Sequence, residues 1–400
     1  MTRFRRTTEV LNGLLEAHSP ISEGLPQKHS SIHLILRLFI VRLRASCSYL
    51  FNALAGDYGP RMINVANIAE TPTDWHWIAH AYPAEGPRVD WRTFSATKRP
   101  GLESRVPGLH WGRIRAALQA RNSAADGWLD QLVSHGPYTS FYAATMLGTQ
   151  RRKIPHLAMS FNFTDLPPPR RFAMMKRAFG SIDRFVVFSR MERELYSELF
   201  DIPMSKLDFV HWGVAPPIAR PLPRAVEERY FVAMGGEARD YATLLEAARM
   251  MPRVRFVAIV RPWSLEGLSV PDNVSVLVNA PWNEAWSYVW HSEAAILPLR
   301  SSRTPNGHVT IVGGMHIGKA HVVTRSIGIS DYAIDGETAL LVDERSPKGL
   351  TEALQRILDE PGLAERLGGA AKEFARKYCT EQVTASYFRD YLVRTHGAGR

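Results

Sequence analysis

The sequence contains few cysteines and none of the short motifs typical of metal or hydrolytic chemistry. Its 400 residues include two cysteines, Cys47 and Cys379, which are too few for a disulfide framework and fit a reducing compartment. It has no C-x-x-C, H-E-x-x-H, G-x-S-x-G or G-K-S/T motif, and no D-x-D where a strand ends. These absences argue against zinc, metalloprotease, α/β-hydrolase and P-loop chemistry, so we expect neither a metal nor a cofactor.

A continuous apolar run that could cross a membrane is also absent. The most apolar segment, residues 31–56, is interrupted by Arg37, Arg42 and Arg44. An arginine at the centre of a spanning helix costs about 2.5 kcal/mol or more. The polar residues before this segment do not fit a signal peptide. Two interpretations of residues 1–60 stay open: an amphipathic surface helix, or a poorly ordered, non-native extension.

The composition is that of a soluble globular protein with anionic partners. Apolar residues make up 45% of the chain and charged residues 22%, and a chain of this length predicts two or three packed domains. The net charge is +10, which favours nucleotides, nucleic acid or an acidic membrane surface as partners.

Predicted strands and helices alternate along the chain in two sets. The first set lies in residues 61–214 and the second in residues 229–385, and each predicts βαβ units around a parallel sheet. Residues 215–228 contain four prolines and predict a stiff linker. Residues 386–400 are assigned to a C-terminal tail. The fold class is therefore α/β, with two doubly wound halves whose loops face a cleft.

Two loops that follow predicted strands of the second set carry donors suited to a phosphate group. In one loop, Gly235 and Gly236 allow close approach of a ligand and Arg239 adds a charge-assisted bond. The other loop leads into a predicted helix, whose N-terminus favours an anion. Its donors are Asn306, Gly307, His308 and Thr310. The alternative for both loops is an ordinary turn that begins a helix, and a dinucleotide site is poorly supported because G-x-G-x-x-G is absent.

Three further residues lie on loops at the expected cleft. Asp331 follows a predicted strand of the second set, whereas His135 and Asp165 follow strands of the first. An imidazole or carboxylate in this place can take a proton from an acceptor hydroxyl, so His135 and Asp165 are the candidate catalytic residues. The competing interpretation of Asp165 is a cap on the helix that begins near residues 167–169.

Residues 167–180 predict a short helix with a basic side. Phe172, Met175 and Phe179 share its apolar face. Its charges, here called the basic face, are Arg170, Arg171, Lys176 and Arg177. In one interpretation the apolar face packs on a sheet and the basic face is merely solvated. In the other the basic face rests on anionic lipid, where each cation is worth about 1 kcal/mol. We predict the second: a peripheral, salt-sensitive membrane association.

Two segments carry a resemblance to a known family. Residues 184–214, "RFVVFSRMERELYSELFDIPMSKLDFVHWGV", and residues 313–343, "GGMHIGKAHVVTRSIGISDYAIDGETALLVD", resemble the GT-B glycosyltransferases, most closely the family 4-like group, in a likeness that covers roughly residues 61–390. It implies two Rossmann-like domains that face a central cleft. Residues 61–214 would bind the acceptor and supply any base, and residues 229–385 would bind a nucleotide-diphosphate sugar.

The sequence departs from that family at two positions. The family usually has two glutamates eight residues apart, and the alignment puts Pro305 and Gly313 in their places. Neither side chain can accept a hydrogen bond from a sugar hydroxyl. Recognition of the sugar then falls to neighbours such as His308, Asn306 or Arg239, and retention of the anomeric configuration does not follow from the resemblance.

The combined prediction is a metal-independent glycosyltransferase of the hexosyltransferase kind. It would move a sugar from a nucleotide-diphosphate sugar to a hydroxyl of a lipid-linked or growing glycan in polysaccharide biosynthesis, with no nucleic acid partner. We expect it in the cytoplasm or on the inner face of the cytoplasmic membrane. Two alternatives stay open: a sugar-nucleotide epimerase of the same fold, and a catalytically silent member that binds a nucleotide or a partner.

Overall fold

Two parallel sheets, each of six strands, form the framework of the protein. The computed structural model describes residues 62–98, 110–148, 150–163, 166–236, 238–303 and 305–397. Both sheets belong to one compact unit, Pro60–Arg400. The predicted extension with Arg37, Arg42 and Arg44, and the candidate base Asp165, lie outside the described residues.

The first sheet has the strand order β2-β1-β3-β4-β5-β6. Its strands are β1 (Ile63–Ala69), β2 (Val89–Ser95), β3 (Gln131–His135), β4 (His156–Met159), β5 (Arg184–Val187) and β6 (Leu207–Phe209). The helices that connect them are α1 (Trp111–Ala125), α2 (Pro137–Leu147), α3 (Pro169–Phe179) and α4 (Arg190–Phe200). Most residues of the central strands are buried, as expected for a parallel sheet with helices on both faces. We call this sheet and its helices the first half.

The second sheet has the order β12-β11-β10-β7-β8-β9. Its strands are β7 (Tyr230–Met234), β8 (Arg255–Val260), β9 (Val274–Val278), β10 (Ala295–Leu297), β11 (His321–Thr324) and β12 (Leu340–Val342). Its helices are α5 (Tyr241–Met250), α6 (Trp282–His291), α7 (His308–His316), α8 (Pro347–Asp359) and α9 (Leu363–Tyr378). This is the second half, and the predicted alternation of strands and helices is confirmed in both halves.

The last helix, α10 (Glu381–His396), returns to the first half. Phe388 packs its ring against Trp77 and Trp91, with centroids 5.0 and 5.4 Å away. Gln131 of β3 donates to the Tyr391 hydroxyl at 3.2 Å. The predicted boundary at residue 385 is therefore misplaced, because it cuts through a helix whose apolar face completes the core of the first sheet.

The proline-rich linker lies along helix α6 of the second half. Ile218 is buried in the same cluster as Trp286. The Trp282 indole donates to the Pro217 carbonyl at 2.8 Å, and the Leu222 amide donates to the Ser287 hydroxyl at 2.8 Å. The linker has no helix or strand over residues 215–228, and these contacts attach it to the second half.

Helix α3 forms close to its predicted place, and its apolar face packs on the core. Met175 and Phe179 are buried, and Phe172 stacks on Phe200 with centroids 4.8 Å apart. On the basic face, Lys176 pairs with Asp201 at 2.6 Å. Along residues 62–397, so far as they are described, no helix is both long and apolar enough to cross a bilayer.

Candidate functional site

A cleft of 720 Å³ lies where the carboxyl ends of the two sheets meet. The first half contributes residues that follow β4, β5 and β6, and the second half contributes residues that follow β7, β8 and β10. The described lining residues are Ser160, Asn162, Phe188, Trp212, Gly236, Arg239, Arg261, Trp263 and residues 305–309. Ligands of open α/β sheets bind at this edge.

Helix α7 points its N-terminus into the cleft. Its N-cap residue Gly307 has φ +100°, and a Cβ there would lie 2.9 Å from the Leu297 side chain, so glycine is required for both reasons. No side chain among the described residues caps this helix. The amide groups of its first turn, residues 308–310, therefore have no capping acceptor and favour an anion.

Two arginines line the same cleft, and one of them contacts this helix end. Arg239 donates from Nη2 to the Thr310 hydroxyl at 2.9 Å and from Nε to the Met234 carbonyl at 3.2 Å. Arg261 donates to the Asn279 side chain at 3.0 Å. Because the described lining has two arginines and no carboxylate, its side chains carry a net positive charge, which favours an anionic ligand.

Gly235 and Gly236 make room for these arginines. A Cβ on Gly235 would lie 2.8 Å from the Arg239 guanidinium, and a Cβ on Gly236 would lie 2.3 Å from Cγ of Arg261. The sequence predicted that the glycines allow a ligand to approach. The structure shows a further reason, since a side chain at either glycine would meet one of the two cationic side chains, and the approach of a ligand to Gly236 stays a prediction.

His308 lines the cleft, as expected, but its ring already makes a hydrogen bond within the protein. Its Nε2 lies 3.0 Å from the Gly328 carbonyl, and the ring packs edge-on against Tyr332 at 5.0 Å. Burial lowers the pKa of His308 to about 4. The neutral ring therefore donates from Nε2 to the carbonyl, and its role as a sugar ligand would be limited to Nδ1.

Asp331 joins the two halves and is outside the lining of the cleft. Its carboxylate accepts from the Arg190 backbone amide at 2.8 Å and pairs with the Arg190 guanidinium. The neighbouring Tyr332 hydroxyl donates to the Phe188 carbonyl at 2.7 Å. The geometry therefore gives Asp331 a partner in the first half, whereas the sequence predicted a contact with the donor.

His135 ends β3 as predicted, but aromatic rings enclose it. Its ring centroid lies 5.0 Å from that of Trp75 and 4.9 Å from that of Trp77. Burial lowers the pKa of His135 to about 3. The ring does not belong to the described lining of the cleft, so a catalytic role for His135 stays a prediction that this geometry does not favour.

Four residues that the sequence analysis missed belong to the site or support it. Arg261 and Trp263 follow β8 and were overlooked, although the rule about strand ends would have found them. No pattern in the neighbouring sequence marks Asn162 as a site residue. Glu192 does have a sequence pattern, because Ser189 and Glu192 form a capping box in which Ser189 Oγ accepts from the Glu192 amide at 3.2 Å.

Pro305 and Gly313 have different surroundings. Pro305 lines the cleft and its carbonyl accepts from the Asn162 side chain at 3.0 Å. A Cβ on Gly313 would lie 2.2 Å from the ring of Trp286. The indole therefore fills the space into which a side chain at residue 313 would extend.

Comparison with known proteins agrees with this architecture. Residues 264–374 match the family described as "Glycosyl transferases group 1". A lipopolysaccharide core biosynthesis glycosyltransferase of Rhizobium meliloti is 30% identical over 108 residues, which cover 27% of this chain and 31% of that protein. A D-inositol 3-phosphate glycosyltransferase of a Nocardioides species is 24% identical over 257 residues, or 54% of this chain and 55% of that protein. The chain spans between 31% and 58% of the length of the curated relatives it matches.

Solved structures show the same fold at low identity. Sucrose-phosphate synthase from Thermosynechococcus elongatus has a TM-score of 0.66 and 15% identity, and the match covers 84% of this chain and 100% of that chain. Anabaena HepE in complex with UDP-glucose has a TM-score of 0.61 and 12% identity, with 83% and 100% covered. The fold predicted from the sequence is confirmed: the chain has the two-domain GT-B fold of these structures, and residues 264–374 match the glycosyl transferases group 1 family.

Proposed function

We propose that the protein transfers a sugar from a nucleoside-diphosphate sugar to an acceptor hydroxyl. The observation that carries this proposal is the set of donors in one cleft: the uncapped N-terminus of α7 with Arg239 bonded to its first turn, and Arg261 in the same lining. A diphosphate is the ligand class that such a group of donors suits. The complex of HepE with UDP-glucose, on the same fold, supports this choice.

Each lining group has a proposed role. The α7 amides and Arg239 hold the diphosphate and stabilise the charge that develops on it as the sugar leaves. With Arg261, they supply positive charge of the kind that a metal ion supplies elsewhere, so the proposed reaction is metal-independent. Trp263 is 54% exposed and offers a flat apolar face for the nucleobase. The sugar would lie between residues 305–307 and Asn162 of the first half.

We also propose that the acceptor is a lipid-linked or growing glycan. The name of the Rhizobium relative, a lipopolysaccharide core enzyme, supports this class. The basic face of α3 supports a peripheral membrane location, because Arg170 and Arg177 are exposed while the apolar face of the helix is packed on the core. Lys176 contributes less, since Asp201 already pairs with it.

A panel of nucleotide sugars tests the proposed reaction. The full chain is incubated with UDP-, GDP-, ADP- and dTDP-sugars, with and without glycan acceptors, and both transfer and slow donor hydrolysis are measured. We expect one base to be strongly preferred and turnover to persist in EDTA. Conversion of the nucleotide sugar to an isomer without acceptor would instead indicate an epimerase. Nucleotide binding without any turnover, in protein shown to be folded, would indicate a silent binding protein.

A further inference from the structure

A buried carboxylate and an amide connect the first half to the loop that precedes α7. Asn162 Nδ2 donates to Glu192 Oε1 at 2.6 Å and to the Pro305 carbonyl at 3.0 Å. Glu192 is fully buried on α4, and its other oxygen accepts from the Phe188 amide at 2.9 Å and the Ser189 hydroxyl at 3.0 Å. The chain of contacts thus runs from the interior of the first half to residue 305 of the second.

These contacts determine the orientation of the Asn162 amide. A carboxylate and a carbonyl can only accept, so both contacts require the NH2 group of the asparagine. Nδ2 uses both of its hydrogens in this way, and Oδ1 remains on the other side of the group. Asn162 lines the cleft, and among the described residues Oδ1 has no hydrogen-bond partner. An acceptor oxygen is therefore presented to the cleft beside Pro305, which itself has no acceptor side chain.

We propose that Asn162, oriented by Glu192, positions the donor loop at residues 305–307 and accepts a hydrogen bond from a hydroxyl of the donor sugar. This inference rests on the proposed function, because it assigns the sugar to that side of the cleft. Asn162 would contact the substrate, whereas Glu192 is a positioning residue that acts through it.

The surroundings of Glu192 give this pair a dependence on pH. Burial raises the pKa of Glu192 to about 7, against hydrogen bonds from Asn162, Phe188 and Ser189 that lower it. The titratable groups that face the carboxyl are Tyr196, whose hydroxyl lies 3.4 Å away, and Tyr332 of the second half. Burial raises both tyrosine pKa values well above their ordinary value. The ionised carboxylate accepts from Asn162 more strongly than the neutral acid, so the loop should be held more firmly as pH rises through about 7.

Hydrogen exchange, ligand affinity and KM, measured on three variants, test the inference. Asn162→Ala removes the amide, Glu192→Gln keeps its size, and Glu194→Gln changes an exposed glutamate on the same helix as a matched control. Hydrogen exchange of the peptide that covers residues 305–316 is measured without ligand. Affinities for UDP, GDP, ADP and dTDP, and KM for the donor sugar, are measured at about pH 6 and about pH 8.5. Thermal melts show which variants remain folded.

We expect Asn162→Ala and Glu192→Gln to accelerate exchange at the loop and to raise KM for the donor about tenfold. Wild type and Glu194→Gln should bind several-fold more tightly at the higher pH than at the lower, and Glu192→Gln should lose that difference. Equal exchange and equal pH profiles in all four proteins would overturn the inference while leaving the proposed function intact. Absence of nucleotide binding and turnover in wild type would overturn the proposed function, and the sugar contact with it.

Discussion

Replacing Arg239 by methionine should remove most of the affinity for a nucleoside diphosphate. The guanidinium is held across the first turn of α7 by its bonds to Thr310 at 2.9 Å and to the Met234 carbonyl at 3.2 Å. Methionine keeps an apolar stem of similar length but loses the charge and the planar donor group. The change therefore tests the phosphate contact with little change in packing.

The size of the effect follows from the donors that are lost. A hydrogen bond to a charged group is worth about 1.5–3 kcal/mol. A guanidinium can give a phosphate two such bonds, and the cleft is open to water, so we take the lower value for each. The sum, about 3 kcal/mol, corresponds to a Kd that is roughly a hundredfold higher. Thr310→Val removes the hydroxyl that accepts from the charged guanidinium and orients it, and the same lower value of about 1.5 kcal/mol corresponds to a Kd that is about tenfold higher.

Calorimetry with the nucleoside diphosphate that wild type prefers measures both changes. Because Thr310 acts by orienting the arginine, Thr310→Val should cost nothing further in a chain that already carries Arg239→Met. Arg253→Met serves as a matched control, since Arg253 is exposed just before β8, at the opposite edge of the sheet. The reasoning is refuted if Arg239→Met binds within threefold of wild type, or if the two substitutions are additive.

Three other predictions concern packing, pH and the membrane. Gly313→Glu should destabilise the fold by about 3 kcal/mol or prevent folding, because its Cβ would lie 2.2 Å from the Trp286 ring; thermal melts that match wild type would contradict this. In the folded protein the pKa of Glu192 is raised from 4.5 to about 7, so folding favours its protonated form. The free energy of unfolding is therefore highest below about pH 4.5, and it falls by roughly 3 kcal/mol as pH rises through about 7. Urea unfolding at about pH 5 and about pH 9 should show this loss of stability in wild type but not in Glu192→Gln. Equal losses in both proteins would show that Glu192 is not the group responsible. Changing the four cations of the α3 basic face to glutamate should abolish co-sedimentation with anionic vesicles at low salt, where each unpaired cation is worth about 1 kcal/mol; equally poor binding by wild type would show that the membrane role is wrong.

Local patterns were sufficient to predict the two doubly wound halves but not where the last helix packs. Helix α4 forms in a segment whose apolar residues recur at helical spacing and whose N-cap serine is followed three residues later by a glutamate, so its local pattern is strong. Helix α10 has a weaker amphipathic pattern, and nothing local shows which sheet its apolar face covers. Its contacts with Gln131 and Trp91 join residues far apart in sequence, so the boundary at residue 385 was misplaced for that reason.

The same limit applies to the candidate site. The rule that ligands bind beyond the carboxyl ends of parallel strands predicted Arg239 and residues 306–308, which the cleft contains. It also selected His135 and Asp331, which lie at strand ends but face Trp77 and Arg190 instead. A strand end places a residue at the right edge of a sheet, whereas the direction of its side chain depends on partners that the sequence does not show.

The departures at Pro305 and Gly313 illustrate how packing and chemistry are linked in this chain. At residue 313 the indole of Trp286 occupies the side-chain space, so a glutamate fits there only if the tryptophan is also replaced. Beside residue 305 the polar group is the side chain of Asn162 from the first half, which Glu192 holds in place by a hydrogen bond. If Asn162 does accept a sugar hydroxyl, recognition of the sugar in this protein depends on how the two halves are held together. Substitutions in the first half, such as Glu192→Gln, should then change donor selectivity even though they lie outside the half that holds the diphosphate.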